Sequence, residues 1–224
     1  MPSVLEGGGI DPDPFARYDA YDCLTFLEEV LALSLSPSPY HASQVRNRLR
    51  YGANQPAYHT RRHFMTLQWI PGNTTDGWLR DTTAEYGPTI LFEKEVTMGV
   101  WKAWQRRDNY PLTDDQLPLG TMRLQVLPLD QAIAVADQIR PGSIIMTVRE
   151  DRSWIPLWVT HVGFTVEGEE PTLRHASRMK SAMKVRDHGL IWYLEHLKTY
   201  TNWTVAGISI LEPIPMGPRR SVSP

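Results

Sequence analysis

A single cysteine, Cys23, occurs in 224 residues, which excludes any internal disulfide and leaves the redox compartment unreadable from bridges. No apolar run approaches the ~20 residues that a bilayer-spanning helix needs, and the amino terminus has no basic stretch followed by a hydrophobic one. The chain as it stands therefore reads as soluble and cytoplasmic, without a membrane span; if a signal was removed, its place is the cell envelope or periplasm. Neither charge sign dominates: 23 Lys and Arg oppose 25 Asp and Glu, a net charge of −2, so there is no basic field for nucleic acid. No period of 20–50 residues repeats, which sets aside solenoids and propellers. Gly7-Gly8-Gly9 has neither a preceding strand nor a following Lys-Ser/Thr, so it is no phosphate loop. No Gly-x-Ser-x-Gly elbow offers a serine nucleophile. His59 and His63 have a helical ligand spacing without the Glu of a His-Glu-x-x-His site, so neither a metal nor another cofactor is expected.

What is present is ordinary globular material, 42% hydrophobic and 21% charged, enough for one sizeable core. Residues 1–20, rich in Gly, Pro and Asp, read as an extended lead-in to the segment Tyr21-Asp22-Cys23-Leu24-Thr25-Phe26-Leu27-Glu28-Glu29-Val30. Asp22 has the character of an N-cap, which makes Cys23 one of the first residues of a helix running to about Ser34. A thiol at the positive end of a helix dipole is expected to have a lowered pKa and nucleophilic character. The alternative is a small buried hydrophobe. Leu24, Leu27 and Leu31 form one apolar row and Phe26, Val30 and Leu33 another; Thr25, Glu28 and Glu29 are expected to face water.

Ser36-Pro37-Ser38-Pro39 ends that helix, and a second is expected over 42–49. Residues 54–83 look irregular but aromatic, and long aromatic loops are usually functional. Within them Tyr58, Arg62, His63 and Trp69 collect recognition chemistry: a planar cation for a carboxylate, and ring faces on which a sugar can lie. Further on, strands are expected over 89–100, 122–127, 143–148 and 205–211, and helices over 101–107, 129–139 and 188–200, with His188 and His196 on the polar face of the last. Residues 1–212 thus form a single catalytic domain with 54–125 as a loop-rich elaboration on the substrate side, and 213–224 form a Pro-rich tail.

The segments 158–166 and 172–177 read as a hairpin. A turn centred on Gly168 sets His161 directly across from His175, with Cβ atoms ~4.5–5.5 Å apart. Trp158, Thr160, Val162, Phe164 and Val166 make the bulkier opposite face, and Gly163 leaves room for a helix end beside His161. His161 in reach of Cys23 could act as its base, with His175 fixing the tautomer and the helix-start N–H groups binding an oxyanion.

Asp-Cys-Leu-Thr-Phe-Leu-Glu-Glu at 22–29, Arg62-His63-Phe64 with Trp69 following, Gly142-Ser143-Ile144-Ile145, His161-Val162-Gly163-Phe164 and Leu173-Arg174-His175-Ala176-Ser177 resemble the NlpC-type papain-like cysteine peptidase superfamily, and within it the N-acetylmuramoyl-L-alanine amidase-like branch. The resemblance runs from about residue 11 to 211. It implies an α+β papain-like fold, an antiparallel sheet packed against an N-terminal nucleophile helix. It further implies hydrolysis of the amide between muramic acid, in its ordinary or anhydro form, and L-alanine of peptidoglycan stem peptides, so the partners would be muropeptides. Carried over, Cys23 is nucleophile, His161 base and His175 the orienting residue, with Asp22, Tyr58, Arg62, His63 and Trp69 on the substrate side. Relatives have a tyrosine-containing loop before the cysteine, a place that Tyr18 or Tyr21 would take here. A γ-D-glutamyl endopeptidase of the same superfamily and a non-catalytic muropeptide-binding module are the alternatives.

Overall fold

The computed structural model describes residues 20–178 and 183–215; the lead-in with Tyr18 and most of the expected tail lie outside the described residues. Helix α1 (Cys23–Leu35) begins where its chemistry says it should. The Thr25 N–H donates to Asp22 Oδ1 (2.7 Å) while the Asp22 N–H donates to Thr25 Oγ1 (2.9 Å), a reciprocal cap that makes Cys23 the first helical residue. Helix α2 (Pro39–Tyr51) opens on a proline, whose missing N–H costs nothing there, and closes on Gly52 at φ 63°.

Glu28 and Glu29, expected in water, are 1% and 3% exposed. The reason is α2: Arg46 grips Glu29 with two bonds of 2.6 and 2.9 Å, and Arg50 Nε donates to Glu28 at 2.6 Å. Charges at this depth persist only when paired, and deleting one partner of such a pair typically costs about 3–5 kcal/mol. Leu33, expected inward, is instead exposed.

Residues 54–83 are more regular than expected, with a π-helical turn at Met65–Trp69 leading into α3 (Ile70–Thr75) and then β1 (Leu79–Asp81). The 54–125 stretch also supplies β2 (Ile90–Val96), α4 (Met98–Ala103) and most of β3 (Gly120–Pro128), so it contributes sheet as well as loops. Helix α5 (Leu129–Ala134), β4 (Ile144–Arg149), β5 (Val159–Val166) and β6 (Thr172–Ser177) follow. Where one helix was expected over 188–200, strand β7 (Lys184–Gly189) comes first and α6 (Leu190–Leu197) after it, then β8 (Val205–Pro213). The cause is pairing: β6 offers β7 a six-residue antiparallel ladder, which holds His188 extended opposite Leu173.

The strands form one sheet in the order β2-β3-β8-β4-β5-β6-β7, with β1 beside β8 and every described pairing antiparallel. Alternation divides its side chains between two cores. Ile144, Met146, Val148, Val162 and Phe164 join Phe26, Leu27 and Leu31 of α1 on one face. Ile145, Leu173, Ile208 and Ile210 join Tyr193 and Leu194 of α6 on the other. No helix among the described residues is long and apolar enough to cross a membrane.

Candidate active site

The β5–β6 ladder covers three residue pairs, with Phe164 facing Arg174, Thr165 facing Leu173 and Val166 facing Thr172. This register is displaced by two residues from the expected one. Because side chains alternate with period two, the shift keeps His161 and His175 on a common face but makes them diagonal instead of directly opposed. They still meet, with His161 Nε2 to His175 Nδ1 at 2.5 Å and the rings edge to face. The space over Gly163 is filled by β6 and not by a helix end: a Cβ there would lie 2.9 Å from both Arg174 O and the His175 Cβ.

Alternation places both imidazoles on the face that α6 covers, where Thr147, the cross-strand neighbour of His161, bonds the Tyr193 hydroxyl at 2.8 Å. Helix α1 packs on the other face, its Phe26 edge-on to Phe164 at 6.3 Å. The thiol and the imidazoles therefore approach from opposite sides. They share one cavity of about 780 Å³ at the place where β5–β6 pairing stops, lined by Tyr21, Asp22 and Cys23, by Thr160 and His161, and by His175 to Ser177.

The electrostatics of this junction differ from expectation. Cys23 sits at a helix N-terminus, yet its pKa is pushed up to about 11, first by burial and then by the Asp22 carboxylate, with the Val162 backbone opposing. Desolvation of a thiolate outweighs the partial charge of the helix end, which is typically worth no more than about 1–2 kcal/mol. Burial likewise holds His161 down to about 4. His175 falls to about 3, through burial and then the neighbouring charges of His161 and His188. The resting site is thus a neutral thiol beside neutral imidazoles, and among the described residues no hydrogen bond joins Sγ to either ring. General-base transfer at the moment of attack suits such a site better than a standing ion pair.

The expected substrate-side residues separate into two groups. Asp22 and His63 line the cavity. The Asp22 carboxylate is committed to Thr25, and the His63 Nε2–H donates to the Tyr58 carbonyl at 2.6 Å. Trp69 does not reach the cavity: it is fully enclosed and its indole N–H donates to Glu28 at 3.1 Å. Tyr58 is buried behind His63, ring against ring at 4.3 Å. Arg62 turns away, bonding Asn73 (2.9 Å) and Asp76 (2.7 Å) over Gly52 and Gly72. Its neighbour Arg61 takes the place expected of it, lining the cavity with Glu28 3.9 Å behind it. Arg61 and His63 both line the cavity, while Arg62 between them turns the other way. Arg149 and Tyr193 were also missed. Arg149 lines the cavity beneath the Tyr200 ring, 4.6 Å from its centre, and burial lowers its pKa. Nothing local to either residue announces this, because β4 and α6 are far apart in the chain and meet only in the folded structure.

A family model described as AmiA-like, N-acetylmuramoyl-L-alanine amidase-like, matches residues 3–201. Comparison with curated proteins gives no match. Among solved structures, the chain is similar to a Legionella pneumophila protein (TM-score 0.75, 22% identity, covering 90% of this chain and 78% of that one). It is similar to an N-acetylmuramoyl-L-alanine amidase from Bacteroides uniformis (TM-score 0.74, 23% identity, 95% and 91%). A Bacteroides fragilis protein provisionally named a xylanase is similar as well (TM-score 0.71, 24% identity, 95% and 94%). At such identities these likenesses establish the fold, a mixed arrangement of helices and antiparallel sheet. Glycoside hydrolysis ordinarily needs two carboxylates flanking the bond, and among the described residues the cavity wall holds one, Asp22, already bonded to Thr25.

Proposed function

Because the chain belongs to the AmiA-like, N-acetylmuramoyl-L-alanine amidase-like family, we propose that it is a cysteine amidase hydrolysing the amide between muramic acid, ordinary or anhydro, and L-alanine of peptidoglycan stem peptides. The observation that carries this reading is that Cys23, His161 and His175 line a common cavity, with the two imidazoles hydrogen-bonded. In it Cys23 is the nucleophile. His161 takes the thiol proton as sulfur attacks the carbonyl and returns it to the leaving amine, while His175 orients His161. The Cys23 N–H, which has no partner within the helix at the first turn of α1 and contacts its own sulfur at rest, is the donor for the developing oxyanion in this reading. Water then releases the muramic acid carboxylate. We take residues 1–212 as one catalytic domain of the NlpC-type, papain-like kind, with α1 as the nucleophile helix.

Digestion of defined muropeptides tests this. The amidase frees an intact stem peptide from the sugar, whereas cleavage inside the peptide would identify a γ-D-glutamyl endopeptidase. Cys23→Ala is expected to lower turnover by at least on the order of 10³-fold. Turnover equal to wild type in that variant would remove Cys23 from the mechanism, and binding without turnover in the wild type would mark a muropeptide-binding module.

A further inference from the structure

The row of imidazoles does not end at His175. Its second ring nitrogen, Nε2, lies 2.8 Å from Nδ1 of His188 on β7, so both nitrogens of His175 are engaged by other imidazoles. His188 is half-exposed and its plane is held by the Trp192 indole stacked at 5.0 Å, which is itself stacked on His196 at 5.2 Å. Stacked on both histidines, Trp192 supports the His188 ring. At the inner end, His161 Nδ1 has no protein partner among the described residues, so the row has one open nitrogen at the cavity and its other end toward solvent.

We propose that His161, His175 and His188 form a proton relay in which the positive charge created by base catalysis at the buried end is carried by His188 at the exposed end. This rests on the amidase reading for the source of the proton but not for the relay itself. At rest each imidazole is neutral: His161 Nε2–H donates to His175 Nδ1, His175 Nε2–H donates to His188 Nδ1, and His161 Nδ1 keeps its lone pair. When the thiol proton bonds to His161 Nδ1, the Nε2 proton of His161 passes to His175 Nδ1 and the Nε2 proton of His175 passes to His188 Nδ1. Three N–H bonds form and the S–H and two N–H bonds break; the thiolate is left at Cys23 and the cation at His188. Protonation of the leaving amine runs the same shifts inward.

The surroundings favour this outcome. Burial holds His161 down to about 4; it lowers His188 too, but there Asp187 beside it on β7 pulls in the opposite direction. Facing His188 are also Arg186 of β7 and His196 of α6, both lowering its pKa below the ordinary imidazole value after burial does, while Glu170 lies against neighbouring Gly189. Asp187 is partly satisfied by Arg174, at 2.7 and 2.8 Å. A consequence follows for acid. A proton already lodged on His161 Nδ1 blocks the base, and its charge then sits at His188, so His188 sets the acid limb of activity.

The test uses the full chain with His188→Asn, which keeps an acceptor for His175 but takes no proton, and His188→Leu, which keeps neither. Both are expected to lose about 10- to 100-fold in kcat and to move the acid limb of kcat/KM to lower pH. An Asn variant with wild-type rate and an unmoved limb would reduce His188 to orientation and overturn the relay. Nitrogen-15 NMR of the imidazoles needs no substrate: acidification should move the His175 proton from Nε2 to Nδ1 in step with titration of His188. A His175 tautomer that stays put while His188 titrates overturns the relay. A moving tautomer in a chain without amidase activity would instead refute the proposed reaction alone.

Discussion

At the scale of single residues, opposing influences meet at Cys23. The helix start draws negative charge toward Sγ, while burial and the adjacent Asp22 carboxylate resist it, and the thiol ends at about 11. Asp22 therefore does two things, capping α1 and disfavouring the thiolate. Asp22→Asn retains an N-cap oxygen and removes the charge, so the thiol pKa should fall, and iodoacetamide should alkylate the variant faster than wild type at pH 9 with helix content unchanged by circular dichroism. An unchanged rate would mean that burial alone sets the value. The cap was legible in the sequence because it needs only residues 22 and 25. The direction of the pKa shift was not, because the burial comes from packing against β5 and β6, far away in the chain.

At the scale of elements, the site depends on how β5 and β6 lie against each other. Gly163 is the point of closest approach, with the Arg174 carbonyl and the His175 Cβ where a side chain would be. Gly163→Ala should force β6 outward, costing about 1–3 kcal/mol of overpacking and pulling His175 from His161. Urea denaturation would report the first effect. Loss of turnover out of proportion to it would report the second, and wild-type stability and turnover would refute the close contact. The period-two pattern placed both histidines on one face, and that survived a two-residue error in register because an even shift preserves the face. A helical pattern over 188–200 concealed β7, since an edge strand carrying Lys, Arg, Asp and His is recognisable only once its partner is known. Glu28 and Glu29 misled for a similar reason: on α1 alone they belong in water, and α2 supplies the arginines that bury them.

For the whole molecule, burial of these groups ties stability to pH. His161 and His175 have folded values near 4 and 3 against an ordinary 6.5, so below 6.5 the unfolded chain binds protons that the folded one refuses. Stability should fall as pH drops from 6.5 toward 4. Cys23 works in the opposite sense: raised from 9.0 to about 11, it is deprotonated first in the unfolded chain, so stability should fall again as pH rises from 9 toward 11. Each unit of displacement corresponds to about 1.4 kcal/mol. Urea midpoints across pH should therefore show a plateau between about 6.5 and 9, and His175→Gln should flatten its acid edge; an acid edge unchanged in that variant would mean that other groups cause it. By itself the sequence determined the local chemistry: an N-cap, a helix that opens on its lone cysteine, two strands with histidines in phase, and a charge balance unsuited to nucleic acid. Those features depend on neighbours a few residues apart and on strict alternation along a strand. Tertiary structure alone decided that sulfur and imidazoles arrive from opposite faces of the sheet, that Arg61 and not Arg62 lines the cavity, that Trp69 is core, and that His188 extends the row. Each of these is settled by contacts between segments distant in the chain, where burial and pairing outweigh local preference.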